Sequence, residues 1–374
     1  YCPAPICAPS RGSLLTGRHQ GHCAVRDTQF DKELPDEHTL GSVMQKAGYA
    51  TAAIGKWGLQ GGKHTLRKGK RGDRPPELVP GHPLLRGFDY FYGYIGHIDG
   101  HFQYPHEGNR PIYDGYKDVT DGLAKCYSTD LFTARTKKWI VDHHKAHPKQ
   151  PFFTYLAYDT PHSPQQVPTT SHLTAESNYP EGGGLTGGIQ WNENGSGGQI
   201  NTAKGIIDQG MHPVFADAVG DDGEPWPMYA TRHVTMVRRI GDAVADIVQL
   251  LKDLKIDKNT LIIFTSDNGT HPADGHQPDY LDTFGPYDGR KRDMWEGGIR
   301  MPTLVRWPSV IAAGSKSDSP SQFHDWMATF CDLVGMQPPA LCDGVSIAPT
   351  LTGRGEQRRG IVYSEYLQKG GNTG

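Results

Sequence analysis

The sequence predicts an α/β fold, because short apolar strands alternate along the chain with amphipathic helices. Residues 49–54, 152–158 and 260–265 are each apolar enough for a buried strand, and polar or glycine-rich residues follow each one directly. The strongest helix covers 234–254, where apolar residues recur at helical spacing. Because ligands bind beyond the carboxyl ends of strands in open α/β sheets, the polar stretches are candidate site residues.

Composition and charge restrict the class of protein. The chain has 374 residues, of which 36% are hydrophobic, and this is ample material for a globular core. A net charge of -3 gives no electrostatic reason to expect a nucleic-acid partner, and the basic residues at 63–74 are predicted to form a solvated loop. No apolar run reaches the length of a membrane span. The six cysteines have irregular spacings, which favour neither a structural zinc site nor a dense disulfide framework.

The chain begins with its most informative stretch. Pro9 and Ser10 suit the start of a short helix, and Gly17 suits its end. Cys7 is therefore predicted to lie just outside the helix N-terminus. Free backbone N–H groups and the helix dipole favour an anion there, and Arg11 adds a fixed positive charge. The stretch predicts an anion site that the side chain of Cys7 faces.

Two strand ends further along carry isolated candidate residues. A predicted helix over 39–47 precedes the first strand, which delivers Lys56 between glycines that allow a ligand to approach the backbone closely. His162 follows the strand over 152–158 and lies between two prolines, which hold it in an extended turn suited to a proton donor. A lone lysine or histidine is more often an ordinary surface or structural residue, so the prediction depends on position at a strand end.

The middle of the chain is predicted to be irregular. A helix over 129–144 precedes the second strand, and after that strand residues of about 165–225 lose periodicity and contain repeated glycine runs. Long loops in compact domains are often lids or binding loops. We therefore expect a long insertion over the site.

The third strand, over 260–265, has the continuous apolar character of a central parallel strand and is followed by Asp267 and Asn268. Adjacent carboxylate and amide oxygens are hard ligands suited to Ca²⁺, with Mg²⁺ as the alternative, although Asp-Asn-Gly is also a common turn. A charged, glycine-rich loop that contains Lys291 comes next. A final strand and a final helix are predicted over 302–307 and 323–334.

The first stretch resembles the signature of the formylglycine-dependent sulfatases, of the arylsulfatase type in the alkaline phosphatase superfamily. The shared pattern is Cys-x-Pro-Ser-Arg at 7–11, followed by Leu-Thr-Gly-Arg at 15–18. The resemblance extends over nearly the whole chain in the expected order. The later matches are Gly-Lys-Trp at 55–57, Pro-His-Ser-Pro at 161–164, Asp-Asn-Gly at 267–269 and a lysine five residues before Glu-Gly-Gly at 296–298.

The resemblance assigns a role to each matching residue. It implies Cys7 as the formylglycine precursor and a metal ligand, Arg11 as the group that orients it, Lys56 and Lys291 as sulfate ligands, His162 at the leaving-group oxygen, and Asp267 and Asn268 as calcium ligands. His276 and Arg290 are further candidates, for contact with a sugar.

The resemblance also implies what kind of protein this is. The expected fold has a mainly parallel central sheet flanked by helices, with a catalytic domain over 1–345, truncated at its N-terminus, and a truncated C-terminal subdomain starting over 346–374. The expected activity is that of a sulfuric ester hydrolase acting on a sulfated carbohydrate or an aryl sulfate. The expected partners are a sulfated small molecule or saccharide and a formylglycine-generating or radical sulfatase-maturing enzyme. A periplasmic or secreted location is expected on the same grounds.

Two departures from the family pattern leave parts of the site open. Gly58 stands where the family usually has histidine, so the base that acts on the nucleophile is unassigned, with His19, His22 and His64 as unranked candidates. The family's other metal ligands, a pair of aspartates, would lie upstream of Tyr1. Two alternative functions stay open: a phosphomonoesterase or phosphonate monoester hydrolase of the same superfamily, and a non-catalytic relative that binds sulfated glycans.

Overall fold

A computed structural model gives the fold of most of the chain. It describes residues 1–28, 32–61, 75–105, 110–123, 126–168, 183–192, 200, 212–272 and 277–367. The helices are α1 (Cys7–Thr16), α2 (Leu40–Lys46), α3 (Ser128–Ala146), α4 (Pro213–Ala216), α5 (Met228–Asp253), α6 (Glu296–Ile299), α7 (Asp325–Leu333) and α8 (Ala348–Thr352). The strands are β1 (Ala50–Lys56), β2 (Tyr90–Tyr94), β3 (Tyr113–Asp114), β4 (Lys117–Asp118), β5 (Phe152–Ala157), β6 (Ile262–Thr265) and β7 (Thr303–Arg306).

The central sheet is mixed and has the strand order β4-β3-β2-β1-β5. Strand β1 pairs in parallel with both β2 and β5, whereas β3 and β4 add an antiparallel edge. The carboxyl ends of β1, β2 and β5 therefore meet at one edge of the sheet. Gly55 is required at this edge, because a Cβ atom there would lie 2.1 Å from the carbonyl oxygen of Ala157. The predicted α/β fold is confirmed.

Helices cover both faces of the central sheet. Ala53 of β1 belongs to a core cluster that includes Leu15 of α1, Val43 of α2 and Met327 of α7. Its neighbours along the strand belong to a second cluster, formed with α3 and α5, because successive strand residues point to opposite faces. This arrangement brings the N-terminal helix, with its signature residues, against the strand that carries Lys56.

The predicted place of the third strand is wrong. Strand β6 was expected in the centre of a parallel sheet, but within the described residues it pairs only with β7, and this pairing is antiparallel. The two strands form a separate sheet in which Phe264 lies opposite Leu304, and β6 is half-buried. A continuous apolar run predicts a strand, but it does not specify which strand will pair with it.

The remaining segments are less regular. Of the expected insertion over 165–225, the described residues contain only the short helix α4 before the start of α5, and 169–182, 193–199 and 201–211 lie outside the described residues. Helix α8 packs against α7, and the backbone of Glu365 donates a hydrogen bond to Pro3. The proposed boundary near 345 stays a prediction.

Two further findings concern the chain as a whole. All six cysteines are free thiols, and all but Cys342 are buried. None of the helices in the described ranges has both the length and the apolar character that are needed to cross a membrane.

Candidate active site

Cys7 is the first residue of α1, inside its opening turn. The helix starts after Ile6, whose backbone is extended, and the N–H of Ser10 donates to the Ile6 carbonyl. The expectation that Cys7 lies just outside the helix is therefore wrong by one residue, because no side chain caps this N-terminus and the turn begins earlier than the Pro-Ser pattern suggests. Cys7 is buried at a helix end whose backbone N–H groups favour an anion.

Arg11, in the first half of α1, connects the central sheet with the β6–β7 sheet. It lies one turn after Cys7 and donates from Nη1 to the carbonyl oxygen of Lys56 at 2.7 Å. Its Nε donates to Oδ2 of Asp267, which follows β6, also at 2.7 Å. Burial would raise the pKa of Asp267, but the charge of Arg11 outweighs this effect and holds that pKa below its ordinary value. Three residues from distant parts of the chain are thus held together by one guanidinium group.

Lys56 is almost completely buried at the carboxyl end of β1. Its side chain is 1% exposed, and burial lowers its pKa to about 8. Gly100 lies directly against this side chain, since a Cβ atom there would be 2.6 Å from Cγ of Lys56. The loop after β2 therefore packs closely over the lysine and restricts its position.

Lys291 and His162 contact each other in the same region as Lys56. Nζ of Lys291 lies 3.3 Å from Nε2 of His162, and Nδ1 of His162 lies 2.6 Å from the carbonyl oxygen of Ser163. Because a carbonyl can only accept, Nδ1 carries the hydrogen and Nε2 presents its lone pair to the lysine. Burial and the two nearby lysines, Lys56 and Lys291, hold the pKa of His162 far below its ordinary value.

The turn that carries His162 is anchored to helix α3. The expected extended turn is in fact tight: the N–H of His162 donates to the Asp159 carbonyl, and the two X-Pro peptide bonds that flank it are cis. Asp159 accepts a hydrogen bond from Ser128 of α3, and Thr160 pairs with Thr129 at 2.6 Å. Burial raises the pKa of Asp159 to about 6. These contacts fix the His162 ring relative to the sheet.

Sequence reasoning missed two histidines in the loop after β2. Nε2 of His97 lies 3.3 Å from Sγ of Cys7, and its Nδ1 lies 3.3 Å from the carbonyl oxygen of Gly58. The ring of His101 stacks on His162 with a centroid distance of 4.0 Å and lies edge-on to His97 at 5.2 Å. The available signal was a strand followed by two histidines, the same pattern that identified His162.

Asp267 and Asn268 fit part of a cation site. Oδ1 of Asn268 is buried and accepts no hydrogen bond from the described residues, while its Nδ2 donates to the carbonyl of Gly269 at 2.8 Å. A buried amide oxygen without a donor next to a carboxylate is what a hard cation would satisfy. Among the described residues, the group of histidine and acidic side chains close enough to share one ion is His19, His22 and Asp343, and it does not include Asp267.

The other predicted residues lie elsewhere. His19 and His22 follow the opposite end of α1, about 15 Å along the helix from Cys7, and both contact Asp343. They are therefore not the missing base, because the helix separates them from the site. Arg290 is exposed, and its backbone N–H binds Asp293. Two predicted residues lie outside the described ranges: His64 and His276.

Comparison with known proteins decides the family. A family model described as Sulfatase matches residues 1–336, which is most of the chain. The chain belongs to the sulfatase family. The matched range includes the start of α1 and the segments that follow β1, β5 and β6.

Curated sulfatases from animals are similar to this chain over almost its whole length. N-acetylgalactosamine-6-sulfatase from Mus musculus is 26% identical over 386 residues, covering 97% of this chain and 60% of that protein. Steryl-sulfatase from Homo sapiens is 27% identical over 405 residues, covering 95% of this chain and 63% of that protein. The chain thus spans about 60% of the length of the curated relatives that it matches.

Solved structures share the fold. Ps i-CgsB in complex with k-i-k-neocarrahexaose superposes with a TM-score of 0.65 at 24% identity, covering 94% of this chain and 66% of that one. A structure in complex with its substrate D-glucosamine-2-N,6-O-disulfate gives a TM-score of 0.61 at 20% identity, covering 96% of this chain and 73% of that one. At these identities the likeness concerns the fold alone.

Proposed function

We propose that this sulfatase domain hydrolyses sulfate monoesters through an oxidised side chain at position 7. The observation that supports this most strongly is the Arg11 bridge. Cys7 and Arg11 lie four residues apart, hence on one face of α1, and Arg11 bonds both the Lys56 carbonyl and the Asp267 carboxylate at 2.7 Å. The nucleophile precursor, two cationic groups and a carboxylate suited to a metal therefore share one small region.

Three cations can neutralise the substrate's charge. A sulfate ester spreads negative charge over three equivalent oxygens, and displacement at sulfur resembles phosphoryl transfer, in which positioning and electrostatics supply most of the catalysis. Arg11, Lys56 and Lys291 are all buried, so their charges act in a region of low dielectric. A divalent cation, Ca²⁺ or alternatively Mg²⁺, would be held by Asp267 and Asn268 and would add positive charge beside the same oxygens.

The nucleophile comes from residue 7. Oxidation of Cys7 to formylglycine supplies the hydroxyl groups of an aldehyde hydrate, which avoids the thiosulfate that a cysteine thiolate would form. The position fits this group, because residue 7 lies at a helix N-terminus that favours an anion and its side chain contacts an imidazole nitrogen. The maturing partner would be a formylglycine-generating or a radical sulfatase-maturing enzyme.

His162 and Lys291 would handle the leaving group. Nε2 of His162 accepts from Lys291 in the free protein, so the pair already shares a proton at the position where the resemblance expects the departing oxygen. With substrate bound, the proton that Lys291 offers to Nε2 would pass through His162 to the leaving oxygen, since Nε2 carries no hydrogen of its own. The stack on His101 holds the imidazole plane during this exchange.

The relatives support a proposal for the substrate class. Curated relatives are named N-acetylgalactosamine-6-sulfatase and steryl-sulfatase, and two structural neighbours were solved with saccharides, of which one is named as a disulfate. We propose a sulfated carbohydrate as the natural substrate, an aryl sulfate as a working assay substrate, and a periplasmic or secreted location. Arg290 and His276 are the proposed sugar contacts.

A phosphate or phosphonate monoester is the second candidate substrate. A phosphonate monoester hydrolase from Silicibacter pomeroyi shares the fold, with a TM-score of 0.52 at 19% identity. The same buried cations could hold a phosphoryl group, since its oxygens carry similar charge. The non-catalytic alternative is disfavoured, because an imidazole contacts residue 7 although Gly58 stands where the family usually has histidine.

The test is mass spectrometry combined with matched substrates. We expect the full-length protein, co-expressed with a maturing enzyme, to carry an aldehyde at residue 7 and to hydrolyse 4-nitrophenyl sulfate at least a hundredfold faster than 4-nitrophenyl phosphate. Cys7→Ala is the control for background hydrolysis. An unmodified thiol after co-expression, or faster phosphate hydrolysis by matured protein, would contradict the proposal.

A further inference from the structure

Gly58 and His97 cannot both carry a side chain in the present geometry. A Cβ atom at Gly58 would lie 2.7 Å from Nδ1 of His97, closer than any ordinary contact, and Gly58 has a φ of +73°, which favours glycine. His97 is 2% exposed. The imidazole therefore occupies space that glycine leaves open beside the lysine-bearing strand.

The hydrogen bonds of His97 fix its ring tautomer. Nδ1 lies 3.3 Å from the Gly58 carbonyl, which can only accept, so Nδ1 carries the hydrogen. Nε2 then presents its lone pair to residue 7, whose sulfur lies 3.3 Å away. The same nitrogen can accept a hydrogen bond from a thiol or from a hydroxyl group at this position.

The loop that carries His97 is held from both sides. Asp99 pairs with Arg110 at 3.4 Å, and both side chains are buried. Gly100 packs against the Lys56 side chain, and the ring of His101 lies edge-on to His97. The position of the imidazole is thus set by the fold of the loop.

We propose that His97 is the hydrogen-bond acceptor that orients the nucleophile at residue 7, supplied by the loop after β2 in place of a side chain at position 58. This inference rests on the proposed function, because it concerns the oxidised form of residue 7. It assigns to His97 the role at the nucleophile for which His19, His22 and His64 were unranked candidates.

Substitution at His97 separates this role from ordinary packing. We expect His97→Ala to lower kcat at least a hundredfold with KM within about threefold, because the acceptor acts on the nucleophile and does not bind the sulfate. His97→Gln, whose amide oxygen can accept, should recover about tenfold of that loss. His82→Ala is the matched control, since His82 is also fully buried but packs against Phe91 and Tyr116, which have no part in the proposal, and it should keep kcat within twofold.

A second pair of variants tests the position of the His97 ring without changing the histidine itself. Gly58→Ala places a methyl group against Nδ1 of His97, whereas Gly48→Ala introduces a similar positive-φ strain, at φ +87°, with nothing within 4 Å. Both variants should unfold at lower denaturant concentration than wild type. Only Gly58→Ala should lose turnover, by at least tenfold.

Chemical labelling of residue 7 gives a readout that does not need turnover. An aminooxy reagent reports the aldehyde form, and iodoacetamide reports any unconverted thiol. We expect His97→Ala to change the labelling rate at least threefold, and His82→Ala to leave it unchanged. A protein that carries the aldehyde but lacks sulfate ester turnover would contradict the proposed function. In that case the labelling rates would still test the contact between His97 and residue 7. His97→Ala with wild-type kcat and labelling would overturn the inference.

Discussion

Lys291 is the residue whose charge has the clearest measurable consequence. Its Nζ contacts His162 and its side chain is 7% exposed, so it acts where water screens little. We expect Lys291→Ala to lower kcat/KM on an aryl sulfate by a hundredfold to a thousandfold, or about 3–4 kcal/mol of barrier. Steady-state kinetics on matured protein measures this.

Arg290→Ala is the control for Lys291. The two residues are adjacent, but Arg290 is exposed. Its alanine variant should keep wild-type kinetics on an aryl sulfate and raise KM only on the natural saccharide. Near-normal turnover in Lys291→Ala would remove that lysine from the site.

His82 predicts how stability depends on pH. It is buried against Phe91 and Tyr116, and burial lowers its pKa to about 4, whereas in the unfolded chain it titrates near 6.5. Between these values the unfolded chain binds a proton that the folded protein does not. The free energy of unfolding should therefore fall by roughly 2–3 kcal/mol as pH drops from about 6.5 to 4.

His82→Asn isolates that contribution. Asparagine can still accept the hydrogen bond from the N–H of Leu84 but does not titrate in this range. Urea unfolding at several pH values should show a shallower decline for the variant than for wild type. Parallel curves for the two proteins would contradict the assignment.

At the residue scale, sequence predicted those residues of the candidate site that local motifs define. Cys7, Arg11 and Lys56 were found because each stands in a short pattern at a helix start or strand end. His97 was missed because its significance comes from Gly58, which is 39 residues earlier in the chain. The absence of a side chain at one position does not indicate which distant residue fills the space.

At the scale of elements, helices α3 and α5 are joined by a buried ion pair. Nε and Nη2 of Arg239 donate to the two oxygens of Asp130 at 2.6 and 2.9 Å, and both side chains are almost fully buried. Asp130→Ala would leave a buried guanidinium without this carboxylate. We expect the free energy of unfolding in urea to fall by about 3–5 kcal/mol.

The neighbouring pair on α5 provides the control. Arg238 and Asp242 are one turn apart, and the arginine is half-exposed. Asp242→Ala should cost less than about 1 kcal/mol, because solvent screens this pair. Equal losses in the Asp130 and Asp242 variants would show that burial does not determine the cost.

Sequence periodicity predicted elements better than their partners. The long helix was expected over 234–254 and spans Met228–Asp253, because its apolar spacing is regular but its start, after Pro227, carries no capping side chain. Strand β6 was expected near its observed position but in the wrong sheet. Strand pairing depends on contacts with residues far along the chain, and a local apolar run does not determine those contacts.

At the scale of the whole molecule, cation binding should appear as a gain in stability. A ligand that binds only the folded state stabilises it, by roughly 2.7 kcal/mol at a hundred times its Kd. We expect Ca²⁺ to raise the Tm of wild type and to have much less effect on Asn268→Ala, as measured by calorimetry. Asn259→Ala, which removes an exposed asparagine elsewhere, should respond to Ca²⁺ as wild type does.

The metal-free proteins provide a second comparison. Oδ1 of Asn268 has no donor among the described residues, so without a cation Asn268→Ala loses only the Nδ2 bond to the Gly269 carbonyl, about 1 kcal/mol. A large loss of Tm in metal-free Asn268→Ala, with an undiminished response to Ca²⁺, would contradict the assignment of this oxygen.

The bridge formed by Arg11 has a consequence for inactivation. Lys56 belongs to the central sheet and Asp267 follows the separate β6–β7 pair, so the reactive groups lie on two bodies, two sheets that no strand pairing joins in the described residues. A small displacement of one sheet relative to the other would misalign the catalytic groups, while each sheet kept its own backbone hydrogen bonds. Turnover should therefore be lost at a lower urea concentration than the far-ultraviolet circular dichroism signal.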